Sequence, residues 1–203
     1  MFNNLYKEIE KPSSGLYKEK GSKFIAYCYP IYSKEEAQKK IKEVKKMEHT
    51  ARHHCYAYIL CADKSSQRAN DDGEPSSTAG KPILGQIVAN DLTNTLIVVS
   101  RYFGGIKLGA SGLANAYKKA AADAISKATI ITKSVREQYE VNFRYPQINN
   151  VMRIIKKHGL EIINNELEIE CKIIFAVSKN KKNIIIDAFE GEHALRIKYI
   201  KDL

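Results

Sequence analysis

Thr95-Leu96-Ile97-Val98-Val99-Ser100-Arg101-Tyr102-Phe103-Gly104-Gly105-Ile106-Lys107-Leu108-Gly109-Ala110-Ser111-Gly112-Leu113 is the stretch from which the rest of the chain is read. Residues 95–103 are nearly continuous in apolar and β-branched side chains, which predicts a strand buried on both faces. Gly104 to Gly112 then predict a tight, glycine-rich turn. After it Leu113, Ala114, Tyr117, Ala120, Ala121, Ala124, Ile125 and Ala128 recur at helical spacing. So many alanines in one stripe imply a helix lying close against a sheet.

Working upstream, His53-His54-Cys55-Tyr56-Ala57-Tyr58-Ile59-Leu60-Cys61 reads as a second strand with two rather apolar faces, hence central. Residues 62–74 are polar and read as a loop. A helix is expected over 81–89, with Pro82 in its first turn and Ile83, Leu84, Ile87 and Val88 inward. Residues 16–31 alternate as one or two strands bent at Gly21. Ser33 and Glu36 form a capping box ahead of a helix with Ala37, Ile41, Val44 and Met47 on one face. Downstream the pattern restarts near 133–137. It predicts strand 137–144, helix 147–158, strands 160–165 and 168–176, helix 179–189 and strand 194–200. That β-α-β-β-α-β order is the split ferredoxin-like one. The expected class is therefore α+β, with domains at 1–133 and 137–203.

Composition narrows the function classes. The 203 residues are 44% hydrophobic and 28% charged, enough for a real core. No apolar run reaches the roughly 18 residues of a transmembrane helix, and the start lacks a secretory apolar segment, so the cytoplasm is expected. Four cysteines without a CxxC exclude a disulfide scaffold and a zinc ribbon. The net charge is +10, of which residues 1–133 carry +8. That field suits an anionic partner. The abundance of Lys, Ile and Asn equally fits a compositional bias of the source genome.

Two segments hold more glycine and charge than packing requires, and each leads into a helix N-terminus. The first contains Asp71, Asp72, Gly73, Glu74, Thr78, Gly80 and Lys81. The second contains Arg101, Tyr102, Phe103, Gly104, Gly105, Lys107, Gly109 and Gly112. Free amides and the helix dipole at such starts favour an anion. The expectation is one anionic site between the two loops, with Lys81, Arg101 and Lys107 supplying charge. Either Tyr102 or Phe103 is free to stack a base, the other being core. Turn geometry and helix capping explain the same residues without a ligand.

Several catalytic patterns are absent. Gly73 and Gly80 enclose six residues, against roughly four in a P-loop, and Pro82 stands where a magnesium-binding hydroxyl would be. The glycines after 104 do not follow the dinucleotide spacing. Asp71, Asp72 and Glu74 are hard oxygen donors suited to Mg²⁺, or helix-start caps. His49, His53, His54, Cys55 and Cys61 offer zinc-type donors, but His53 and His54 face opposite ways on a strand. Cys55 and His53 lack an evident orienting acid. No catalytic residue, metal site or cofactor is assigned.

The motifs resemble those of the bacterial YigZ family, the prokaryotic relatives of the eukaryotic protein IMPACT. The resemblance runs through Ala51-x-His53-x-Cys55-x-Ala57, through Asp71 to Pro75 with Thr78-Ala79-Gly80, and most specifically through Arg101 to Gly109 with Gly112-Leu113 and Ala116-Tyr117. It implies a ribosomal protein S5 domain 2-like N-terminal domain and a ferredoxin-like C-terminal domain. It also implies a translation-associated regulator that binds RNA, the ribosome or a translation factor, with His53 added to the loop residues. A monomer or weak homodimer without membrane attachment is expected. The alternative is an enzyme acting on a phosphorylated small molecule, with Mg²⁺ as an option. Ser77 and Ser111 stand where glycine is expected in this family, and Asn115 where a basic residue is frequent.

Overall fold

The computed structural model describes residues 4–192 and 195–202. They fall into two units, one of Tyr6–Lys133 and one that begins at Ser134 and includes Leu5. The alternating segments of the first unit form β2 (Ser13–Glu19), β3 (Ser22–Pro30), β4 (His53–Leu60), β5 (Ser66–Asn70) and β6 (Thr95–Tyr102). They make a sheet in the order β2-β3-β6-β4-β5, with every neighbouring pair antiparallel. β6 lies in the middle, and Thr95 to Arg101 are all buried.

The two apolar faces of β4 serve two layers. Cys55, Ala57 and Ile59 join the cluster under α2 (Gly80–Ala89) and α3 (Gly109–Ser126), together with Phe24, Ile83 and Tyr117. Tyr58 and Leu60 join the opposite cluster under α1 (Lys34–Met47), with Ala37, Val44 and Val98. The alanines of α3 do bring it against the sheet. A Cβ on Gly15 of β2 would sit 2.3 Å from the Ala124 nitrogen, so only glycine admits the helix there.

In the second unit the chain order is β8 (Arg136–Arg144), α4 (Ile148–His158), β9 (Glu161–Leu167), β10 (Glu170–Ser178), α5 (Lys182–Glu190) and β11 (Arg196–Asp202). The sheet order is β11-β8-β10-β9, antiparallel throughout. Val141, Phe143, Ile155, Phe175, Ile185 and Phe189 form its core. Residue 194, where the last strand is expected to begin, lies outside the described residues.

Several local expectations need correction. Residues 62–74 are not all loop: Ser66–Asn70 is an edge strand, held on β4 by backbone pairing with almost no apolar signal. β1 (Leu5–Ile9) and β7 (Ile130–Ser134) pair with each other in a separate small sheet. α3 starts at Gly109, so Ala110, Ser111 and Gly112 belong to its first turn. Val88 and Met47 point outward, 56% and 54% exposed. At the start of α1 Ser33 accepts from the Glu36 amide at 3.1 Å, but Glu36 reaches back to Tyr32 N at 2.7 Å. Among the described residues no helix is long and apolar enough to cross a membrane.

Candidate anion-binding site

The acidic loop between β5 and α2 is organised around its own carboxylates. Asp71 Oδ1 accepts from Ala79 N at 3.0 Å and Gly80 N at 2.8 Å, and Oδ2 accepts from Ser77 N at 2.9 Å. Burial pushes the Asp71 pKa up. The Gly80, Ser77 and Ala79 amides, with the charge of Lys81, outweigh it and hold the group below the usual carboxylate range. The N-terminus of α2 is thus occupied by an anion from within the chain. The expectation that both loops offer free amides fails here for that reason.

The other two acids are equally committed. Asp72 Oδ2 accepts from His54 N at 2.8 Å, and Oδ1 takes Lys45 Nζ at 3.0 Å. Burial works against these contacts, yet they keep the Asp72 carboxyl low. Glu74 is buried; its Oε1 accepts from Arg101 Nη1 at 2.6 Å and from Tyr117 Oη at 2.9 Å. Asp71, Asp72 and Glu74 therefore serve three different partners rather than one ion. Among the described residues no group of three His, Cys, Asp or Glu is placed to hold a metal.

Arg101 is consequently not a free surface cation. It is 7% exposed, and its side chain ties β6 to the acidic loop through Glu74. Its Nε is buried without an acceptor among the described residues. Cys55 Sγ lies 3.3 Å from Tyr117 Oη and donates to Asp71 O at 3.0 Å. Burial pushes the Cys55 thiol up to about 12, so it is no thiolate at neutral pH. His53 Nδ1 meets the Asp72 carbonyl at 2.9 Å, which requires the proton on Nδ1 and turns the ring to the loop rather than to Cys55.

The second loop differs in kind. α3 has no side-chain cap at its N-terminus, and Phe103, Gly105, Lys107, Gly109 and Ala110 are exposed. Gly104 has a packing duty: a Cβ there would lie 1.9 Å from the Gly21 carbonyl carbon, so the loop start is pressed on the β2–β3 turn. Lys107 has no ion-pair partner among the described residues.

The two loops do meet. A cavity of about 460 Å³ opens between them, walled by Glu74 and Pro75 on one side and by Phe103 and Lys107 to Ala110 on the other, with Leu113 beyond. Arg52, His53 and Arg101 complete it. Of the expected residues it gathers His53, Glu74, Arg101, Phe103, Lys107 and Gly109. Asp71, Asp72, Gly73, Thr78, Gly80, Lys81, Tyr102, Gly104, Gly105 and Gly112 are not part of its lining. Thr78 donates to the Pro75 carbonyl at 2.7 Å, and Tyr102 Oη turns away to Glu48. Neither Tyr102 nor Phe103 is core; Phe103 is 48% exposed. Arg52 is the residue the sequence reading misses. Its only signal is its place beside His53 at the start of a strand aimed at the loops.

A family model described as the Impact N-terminal domain matches residues 20–125, over half of the chain and all of the cavity's residues. The chain belongs to the IMPACT family. It is 37% identical over 130 residues to the IMPACT family member YvyE of Bacillus subtilis, which is 64% of this chain and 60% of that relative. It is 33% identical over 151 residues to the IMPACT family member YigZ of Escherichia coli, covering 73% and 74% of the two chains. A crystal structure described as that of a hypothetical protein matches with a TM-score of 0.77 at 27% identity, over 97% of this chain and 98% of the other.

Proposed function

We propose that this IMPACT-family chain is a translation-associated regulatory protein that binds RNA, free or within the ribosome, through the cavity between its two loops. The observation that carries the reading is the contrast between two helix starts. Asp71 fills that of α2. That of α3 has no side-chain cap and adjoins a cavity with Arg52, Arg101 and Lys107 in its walls. A phosphate placed there meets backbone amides, a helix dipole and exposed cations together. The acidic loop then acts as a rigid wall rather than a second anion site. Family membership supports the translational setting, with the cytoplasm as its place.

We assign residues 1–133 as an IMPACT-type domain of S5 domain 2-like fold and 137–203 as a small ferredoxin-like domain. Three layers around a five-stranded sheet support the first assignment, and the β11-β8-β10-β9 order supports the second. A catalytic role on phosphorylated small molecules asks for a carboxylate free to act as base or metal ligand. The engagement of Asp71, Asp72 and Glu74 favours binding instead.

Fluorescence anisotropy with labelled single-stranded RNA over a range of salt tests the reading. Affinity should fall steeply as salt rises. Lys107→Ala and Arg52→Ala should each lower the log–log slope by roughly 0.7. Binding that ignores salt, or no binding at low salt, contradicts it.

A further inference from the structure

We infer that the cavity takes one unstacked nucleotide of a single strand, its phosphate at the first turn of α3 and its base against Phe103. This rests on the RNA reading above and narrows it. The space between the loops, about 460 Å³, is the size of a small-molecule pocket rather than of a groove that follows a duplex. A base held in a helix stack cannot enter it; a base splayed from a single strand can.

The lining holds both kinds of group a nucleotide needs. Pro75, Phe103, Leu108 and Leu113 supply apolar surface for a base, and Arg52 and Lys107 supply charge. Phe103 is the one phenyl ring among the described residues of the lining and is half exposed, and the Arg101 guanidinium carbon lies 5.6 Å from its ring centroid. That contact braces the ring as a stacking surface. Arg101 itself gives a second, independent sign of a ligand. It is more than nine-tenths buried in the cavity wall, only Nη1 is bonded to Glu74, and Nε has no acceptor among the described residues. A buried guanidinium with one donor unmet is costly unless an acceptor arrives. The oxygen-rich edge of a base or a sugar–phosphate is such an acceptor.

The test compares four probes on the full chain: a labelled oligouridylate of about ten nucleotides, an RNA duplex, uridine 5′-monophosphate and inorganic phosphate. The single strand should bind at least about tenfold more tightly than the duplex. The monophosphate in excess should displace it, and inorganic phosphate should do so less well. Phe103→Ala should weaken single-strand binding roughly tenfold while Phe103→Tyr keeps it, since one base–aromatic stack has that size. The exposed position of Phe103 keeps the fold out of the comparison. Equal affinity for both RNA forms, insensitive to Phe103→Ala but weakened by Lys107→Ala, overturns this inference and leaves the anion reading standing. Failure of every RNA to bind at low salt overturns both.

Discussion

Asp71→Ala removes the carboxylate that closes the N-terminus of α2. Three amides lose their acceptor: Ser77 at 2.9 Å, Ala79 at 3.0 Å and Gly80 at 2.8 Å. Loss of one capping side chain costs roughly 0.5–2 kcal/mol. Here a charged acceptor serves three donors, but Asp71 is only half buried and water can reach part of the space. The cost is therefore about 2–3 kcal/mol. Asp71→Asn keeps an oxygen for Ala79 and Gly80 and loses the bond to Ser77, so it should cost about 1 kcal/mol. Urea titration followed by far-UV circular dichroism measures both. The Ala variant carries a second signature. Its freed amides form an anion site, so sulfate should stabilise it more than the parent. An Ala variant within about 0.5 kcal/mol of the parent, with no added response to sulfate, would refute the reasoning. The first loop would then be open to outside anions after all.

Three further outcomes follow from the same contacts. Glu74→Gln leaves Arg101 buried without a counter-charge and should cost about 3–5 kcal/mol by denaturant titration, and adding Arg101→Met should recover part of it; full stability of the single variant would contradict the pairing. Ser77 sits at φ +66, in the left-handed region that glycine adopts freely, so Ser77→Gly should raise stability by about 0.5–1 kcal/mol. Glu48, Asp71 and Asp72 all titrate below their ordinary values in the folded state. In acid the unfolded chain therefore binds more protons than the folded one, so their contribution is complete above the usual carboxylate pKa near 4 and is lost as pH falls through the lower folded values. Asp71→Asn should flatten that acid limb, and an unchanged limb would count against the assigned contacts.

How much of this was legible depended on which physical signal each residue carries. β6 and α3 were readable because burial on both faces and a stripe of alanines leave a periodic trace. β5 was not, because an edge strand held by backbone pairing needs no apolar side chains, and Ser66-Gln67-Arg68-Ala69-Asn70 shows none of the usual pattern. The loops were legible as unusual in composition, and in the fold both line one cavity. What each charge does there was not legible. Asp71, Glu74 and Arg101 look alike in sequence to solvent-facing charges, yet in the fold Glu74 and Arg101 are buried as a pair and Asp71 fills a helix end. Arg52 carries no motif at all and enters the site because the chain at the start of β4 pairs with Arg101 of β6.

The most direct test of the account is the salt dependence of single-stranded RNA binding by the parent chain and by Lys107→Ala. The parent slope should be steep and should become shallower by roughly 0.7 on removing the one lysine, with the fold unchanged. Identical slopes in the two proteins, or no RNA affinity in either, contradict a phosphate seated at the start of α3.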